Sequence, residues 1–345
     1  MADITHTPAM TLLDRLDREA VASAAPSQGE LMRELGIKGR PGWTSRLPPS
    51  LAAFVTNPKG MIGVVVLLGL ILFSLLGPLF SEYNPQRRAG KPHVAPGYEH
   101  VMGTTRMGKD VYTQLAYGGR MSLAVGFGAG LAAALIGLAV GISAGYFGGR
   151  IDDVLTFLVN VVLVLPGLPL IIVIASLVES AGPLVIGTVL ALTGWGWSAR
   201  TIRTQTMSLR TREFILSAEL MGERKWRIIL KEIFPNMLSF FMGGLVLGTI
   251  SAILAEAALS FIGLGDPNAV TWGTMLYWAQ NNMALQLGAW WEIWPPAIAI
   301  MLTGAALVMI NFAVDEITNP QLKASRKIGR IRRFLARRGR SADVF

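Results

Sequence analysis

TREFILSAELMGERKWRIILKEIFPN, residues Thr211–Asn236, combines dense charge with dense apolar content. Arg212, Arg224, Lys225, Arg227 and Lys231 stand beside Glu213, Glu219, Glu223 and Glu232. Phe214, Ile215, Leu216, Leu220, Met221, Trp226, Ile228, Ile229 and Leu230 fill the gaps. The pattern predicts two short amphipathic helices that meet at Gly222 and stop before Pro235, where the backbone donor is missing. Such a segment, held at a membrane surface, offers a handle to a soluble partner.

The flanking sequence supplies the membrane. Of 345 residues, 52% are apolar and 15% charged, and mean hydropathy is +0.48, which is too apolar for an ordinary soluble domain. Six uncharged stretches are long enough to cross a bilayer: Met61–Phe80, Met121–Gly149, Val154–Val178, Ser180–Ala199, Ile233–Ala255 and Ile293–Val314. Backbone groups in lipid must be satisfied within the segment, so these stretches are expected to be helices. The expected fold class is therefore all-α, a polytopic membrane protein with six transmembrane helices. Cysteine is absent, which excludes disulfides, thiolate metal sites and a catalytic thiol. The only histidines, His6, His93 and His100, stand in no metal-ligand spacing, and no metal is expected.

Lys and Arg in the connections set the expected orientation. Residues 200–235 carry eight of them, the turn after the second span carries Arg150, and Lys323–Phe345 carries nine against Asp343 alone. The connection Ser180–Gly182 and the loop Gly263–Trp291 carry none. Both termini and Thr211–Asn236 are thus expected on the cytoplasmic side. The external connection 81–120 is the exception, with Arg87, Arg88, Lys91, Arg106, Lys109 and Arg120. The expected organisation is a cytoplasmic N-terminal extension over 1–57, with a short amphipathic helix at Leu12–Val21, and a six-helix domain over 58–322. That domain has external loops 81–120 and 263–291 and a cytoplasmic loop 200–235, and a basic cytoplasmic tail follows over 323–345. The basic tail suits anionic lipid, and no nucleic-acid partner is expected.

Within the spans, Ala129, Ala133, Gly137, Gly141 and Gly145 recur every fourth residue, a stripe that lets another helix approach closely. It serves either a subunit or pore contact or internal packing. Pro166 and Pro169 are expected to break or kink the third span. Glu256 is ionisable at membrane depth and faces protein or water, either as a structural hydrogen-bond partner or in transport. Trp272, Trp278, Trp290, Trp291 and Trp294 gather at the expected outer face, as interfacial anchors or as a stacking surface for a ligand.

No site for ATP is legible. Gly103-Thr104-Thr105-Arg106-Met107-Gly108-Lys109-Asp110 comes close to a P-loop, but its last position lacks the hydroxyl that holds magnesium and places a carboxylate there instead. Nucleophile elbows, zinc helices and kinase motifs are also absent. Catalytic residues and bound cofactors are accordingly expected to be none. Uphill transport by this chain would draw on a partner or an ion gradient.

Ser217-Ala218, three residues, Gly222, nine residues, then Glu232-Ile233-Phe234-Pro235 resembles the coupling loop of ATP-binding-cassette importer permeases. Leu216 replaces that loop's acidic residue, Ser217 its first Ala, Glu232 its Ile and Phe234 its Leu. Gly103-Thr104 through Gly108-Lys109-Asp110-Val111, then Tyr117-Gly118-Gly119-Arg120-Met121-Ser122-Leu123, resembles a signature of the dipeptide/oligopeptide/nickel permease family. Glu256-Ala257-Ala258-Leu259-Ser260-Phe261-Ile262-Gly263-Leu264-Gly265 and Trp272-Gly273-Thr274-Met275-Leu276 fit the same family, and the chain looks like the "C" member of its permease pair. Thr105 departs from the usual Asp, and Phe312–Pro320 keeps only Asp315 and Pro320 of the usual ending.

The resemblance implies a type I importer fold and a chain without its own ATPase site. It implies a paralogous permease, two cytoplasmic ATPase subunits that carry ATP and magnesium, an extracytoplasmic binding protein, and a bacterial or archaeal plasma membrane. Phe214, Ser217, Ala218, Gly222, Trp226 and Pro235 would form the coupling loop, with Trp226 as an anchor. Peptides or dipeptides are the implied substrates, and oligosaccharides remain the alternative. An ion-driven transporter would call for internal repeats or midplane acids, of which Glu256 is the lone candidate. A membrane-embedded enzyme would call for clustered His, Asp or Glu in or near the spans, and the sequence shows none.

Overall fold

The computed structural model of the chain describes residues 54–177 and 182–318. The expected helix Leu12–Val21, nearly all of the N-terminal extension, the basic tail and residues 178–181 lie outside the described residues. Among the described residues the chain is helical and has no strand, only an isolated antiparallel bridge between Thr104 and Asp110.

Four helical runs are long and apolar enough to cross a membrane: Pro58–Phe80, Val111–Phe147, Lys225–Phe261 and Trp290–Glu316. The first is α1 (Pro58–Leu76) with a 3-10 turn at Gly77–Phe80. The second is α2 (Val111–Phe147), which starts ten residues before the expected Met121. Its first turns contain Arg120, a charge that hydropathy assigns to a loop. The Arg120 guanidinium instead donates to the carbonyls of Ser74 (2.8 Å) and Leu75 (2.6 Å) at the end of α1 and lies 5.1 Å from the Tyr117 ring centroid. Unpaired carbonyls at a helix C-terminus satisfy the cation.

The expected third and fourth spans are each divided. Leu165 is extended (φ −65°, ψ 128°), as the residue before a proline tends to be, and separates α3 (Gly149–Val164) from α4 (Gly167–Ser176). Pro166 makes that break, whereas Pro169 falls in the first turn of α4, where no backbone donor is required. Ser180–Ala199 contains α5 (Pro183–Gly194) and the start of α6 (Gly196–Arg210), with Trp195 between them. Residues 200–210, expected in a cytoplasmic loop, therefore continue a helix.

Beyond α6 come α7 (Glu213–Leu220), α8 (Lys225–Ile228), a π turn (Ile229–Ile233) and α9 (Phe234–Phe261). Pro235 does not end the helix as expected. The wider turn just before it, closed by Phe234 N–H to the Ile229 carbonyl, makes room for the ring, and the run continues into α9. The expected outer loop 263–291 holds a further helix, α10 (Trp272–Asn281), whose capping box pairs Thr271 with Thr274. A 3-10 turn at Trp290–Glu292 leads into α11 (Trp294–Thr318).

Close glycine contacts fix how these helices run. Gly60 and Gly63 of α1 meet Ala313 and Ala306 of α11, so the start of one lies at the end of the other. Gly126 and Gly130 of α2 meet Ile253 and Thr249 of α9, again antiparallel. Gly137, Gly141 and Gly145 of α2 meet Ser198, Ile202 and Thr206 of α6, in step and parallel. One end of the bundle therefore carries residues 81–110 and α10. The other end carries α7, α8, the start of α1 and the close of α11.

In lipid there is little hydrophobic drive between helices, so backbone proximity of this kind carries the association. A Cβ on Gly141 would lie 2.7 Å from the Ala199 carbonyl oxygen and 2.8 Å from Ile202 Cβ, whereas one on Gly128 of the same helix would meet nothing within 4 Å. Gly141→Ala is expected to destabilise the protein by about 1–3 kcal/mol through overpacking, and Gly128→Ala is expected to be neutral or stabilising. Thermal unfolding of the two variants in detergent tests this: equal midpoints would disprove the close-contact account.

Candidate functional site: the segment between α6 and α9

Residues 211–236 form a compact unit at one end of the bundle. The α7 helix closes with a Schellman motif: Glu223 N–H bonds the Ala218 carbonyl (3.1 Å) and Gly222 N–H bonds the Glu219 carbonyl (3.0 Å). Gly222 takes φ +77°, a conformation that costs a side-chain-bearing residue free energy. The chain turns there into α8, where Arg227 lies 3.3 Å from Glu223, one turn back.

The inner face of this segment is apolar and buried. Ile215 and Ala218 of α7, Ile228 of α8, Ile233 of the π turn and Met237 of α9 pack with Leu138, Ile142 and Tyr146 of α2 and Ile202 of α6. The outer face is apolar and uncovered. Leu220 is 89%, Met221 76% and Trp226 57% exposed, and Phe214 and Leu230 are exposed beside them. An open groove there is lined by Met221, Glu223, Arg224, Trp226, Arg227 and Lys231. Ser217 and Pro235 are also exposed, so of the six expected coupling residues only Ala218 is buried. A contiguous exposed apolar surface with a rim of mixed charge is a protein-docking signature.

The small-residue stripe lies elsewhere in purpose. Gly137, Gly141 and Gly145 are filled by α6 of the same chain, Ala133 lies beside Gly194, and Ala129 packs in a cluster with Ile186 and Leu190 of α5. Its contacts are thus internal to the chain. Glu256 is fully buried in α9 and accepts from Ser260 Oγ (2.9 Å) and Ser122 Oγ (3.4 Å), and Ser122 Oγ in turn accepts from Trp272 N–H (3.1 Å). It ties α9 to α2 and α10. The tryptophans divide: Trp272 is buried with its indole on the Leu115 carbonyl (3.1 Å), Trp291 bonds the Thr104 carbonyl (3.1 Å), and Trp290 and Trp294 remain exposed.

Two pairs were not legible as sites in the sequence. Asp110, which sits in the P-loop-like stretch, caps α2 by accepting from Thr113 N–H (2.8 Å) and approaches His100 Nδ1 at 2.9 Å, both side chains buried. Its carboxylate is committed to the helix end. Asp152, at the α2–α3 turn and ahead of the apolar stretch Val154–Val178, accepts two bonds from Arg203 (2.5 and 2.7 Å) and one from Thr156 (2.9 Å). Spacing alone does not announce a pair 51 residues apart.

A model for the binding-protein-dependent transport system inner membrane component matches residues 137–324, and one for the N-terminal transmembrane domain of oligopeptide transport permease C matches residues 50–96. The chain belongs to this permease family. It is 34% identical over 273 residues to the dipeptide transport system permease protein DppC of Bacillus subtilis (strain 168), covering 77% of this chain and 83% of the relative. It is 28% identical over 279 residues to the oligopeptide transport system permease protein OppC of the same organism, 79% and 89% of the two chains. It is also 31% identical over 266 residues to a putative peptide transport system permease protein of Brucella suis biovar 1 (strain 1330), 76% and 88% of the two chains. The family, with the apolar spans, makes this an integral membrane subunit of a transport system.

The Arg203 guanidinium holds the Asp152 carboxyl below the ordinary aspartate value, and partial burial opposes this less strongly. A lowered folded value contributes stability above the unfolded value, and the contribution is lost as pH falls through the folded one. Asp152→Asn should therefore cost about 1–3 kcal/mol near neutrality. The gap from the unsubstituted protein should close as pH drops below about 4. Thermal midpoints of both proteins across pH measure this; a gap independent of pH would assign the loss to packing instead.

Proposed function

We propose that this chain is one permease subunit of an ATP-driven importer and forms half of a translocation path for dipeptides or oligopeptides. The observation that carries the reading is the α7–Gly222–α8 segment. It presents exposed Phe214, Leu220, Met221 and Trp226 within a surround of mixed charge, at the end of the bundle remote from residues 81–110 and α10. On a family permease without an ATP-binding motif, that surface suits a soluble ATPase.

In this reading a paralogous permease completes the path, and two cytoplasmic ATPase subunits bind ATP and magnesium. An extracytoplasmic binding protein delivers substrate to the end that bears α10. The chain crosses a bacterial or archaeal plasma membrane six times, with α3–α4 and α5–α6 as the third and fourth crossings and both termini cytoplasmic. The helix directions support that parity, because the start of α1 and the close of α11 share one end with α7. Nucleotide-driven closure of the ATPases would shift the permease pair between two packings. Peptide is favoured over oligosaccharide because the relatives reported above are named for dipeptide, oligopeptide and peptide transport.

Gly222 separates folding from docking. A Cβ there would meet nothing within 4 Å, so a substitution strains only the backbone. Gly222→Val is expected to leave the protein inserted and folded but to weaken co-purification with the ATPase subunits by about tenfold, since it re-aims α8 and Trp226. Trp226→Ala should do the same without backbone strain. Undiminished ATPase recovery with both variants would refute the docking assignment.

A further inference from the structure

Tyr146 lies near the end of α2, one residue before Phe147 and the glycine turn. It is 2% exposed, and its hydroxyl donates to Glu219 Oε1 of α7 at 3.1 Å. Its ring packs with Ile215 and Ala218 and stands edge-on to Phe147 at 5.4 Å between centroids. Among the described residues no other side-chain hydrogen bond or ion pair joins α7 to the rest of the chain. The chain connections at both ends of α7 are short turns closed by backbone hydrogen bonds alone, Arg212 N–H on the Leu209 carbonyl before it and the Gly222 and Glu223 N–H groups on the Glu219 and Ala218 carbonyls after it. Arg212 is extended before it (φ −78°, ψ 145°), and Gly222 turns after it with φ +77°. Apolar packing tolerates sliding, whereas a hydrogen bond is directional.

The other end of α2 is held with equal definition. Asp110 caps it, His100 Nδ1 meets that carboxylate at 2.9 Å, Trp272 bonds the Leu115 carbonyl at 3.1 Å, and Ser122 accepts from Trp272 N–H. The helix between these joints has 37 residues, about 55 Å at helical rise.

We propose that Tyr146 is the positioning residue that passes movement of α7 into α2, through its hydroxyl on Glu219, so that α2 serves as a rod between the coupling segment and the end bearing His100 and α10. This rests on the coupling role assigned above to Thr211–Asn236. Movement enters at Glu219, one turn before the Gly222 turn. It reaches Tyr146, travels along α2, and arrives at Asp110 and Trp272. The turns at Arg212 and Gly222 join α7 to its neighbours through backbone alone, so among the described residues the Tyr146–Glu219 bond is the directional side-chain link from α7 to a long helix.

The cysteine-free chain permits a direct test. A fluorophore on Val101→Cys, an exposed position beside His100, reports the far end of α2 in the full complex of both permeases and ATPases in lipid vesicles. ATP with vanadate is the only stimulus, so neither substrate nor binding protein is required. The nucleotide-induced change in that signal is expected to fall to about a fifth or less in Tyr146→Phe. Complex assembly, thermal midpoint and basal ATP hydrolysis should be unchanged. Glu219→Gln keeps the acceptor oxygen and should retain the signal, and Tyr146→Phe with Glu219→Ala should lose no more than either alone. A full signal in Tyr146→Phe overturns the proposal. So does a loss that tracks a lowered midpoint, because that marks a merely structural hydroxyl. Failure of the unsubstituted chain to assemble with ATPases overturns the coupling role itself.

Discussion

The backbone-to-backbone approach of α2 and α6 sets the terms for the rest of the bundle. Gly137, Gly141 and Gly145 leave no room for a Cβ against Ser198, Ile202 and Thr206, so two parallel helices lie closer than ordinary side chains allow. Water would make such glycines a liability, at about 1 kcal/mol each in a helix. Lipid removes most of that objection, since an unwound backbone has no partner there. The contact then brings Ile202 to Ile142 and Tyr146, and α7 and α8 close over them. It also sets α6 where Arg203 can reach Asp152 on α3. The surface proposed for coupling is thus a consequence of a packing decision made inside the bundle.

The features readable from sequence are those encoded by near neighbours. The four-residue stripe, the charge and apolar mix of Thr211–Asn236, the turn at Gly222 and the break at Pro166 all rest on residues within a few positions of each other. The features that escaped depend on distant partners. Arg120 reads as a loop charge until the carbonyls of Ser74 and Leu75 are placed beside it. Pro235 reads as a stop until the π turn before it is seen to absorb the ring. Glu256 reads as a structural hydrogen-bond partner or a transport acid, and its partners are unnamed until Ser122, 134 residues away, and Ser260 close around it. The helix α10 is hidden from hydropathy, which assigns its ten residues to a loop, while its burial is supplied by α2, α9 and α11.

Substrate handling leaves a fainter trace than energy handling. Several polar groups buried within the bundle are bonded to the chain itself, Glu256 between α9 and α2, Trp272 between α10 and α2, and Thr303 on the Ala299 carbonyl of its own helix, while Ser198 Oγ and Thr249 Oγ1 lie against glycines of α2 without a hydrogen-bond partner among the described residues. A buried polar group already bonded to its own protein has little left to offer a cargo. This agrees with the proposal above that a binding protein delivers the substrate and the permease pair forms the path.

The cations of residues 81–120 weigh against the proposed orientation less than their number suggests. Charge bias sets topology through Lys and Arg that remain free in short connections near the spans. Arg120 is not in a connection at all, because it lies in α2 and caps α1. Arg88 bends back to the Gly90 carbonyl at 2.9 Å. The rest of the segment is a folded unit rather than a bare loop: Thr104 bonds the Lys91 carbonyl and Val94 N–H, and Gly103 and Gly108 turn it with positive φ. Charges within a folded unit constrain insertion weakly, while Arg224, Lys225 and Arg227 lie in and beside the four-residue helix α8, in the short stretch between α6 and α9, where the rule has most force.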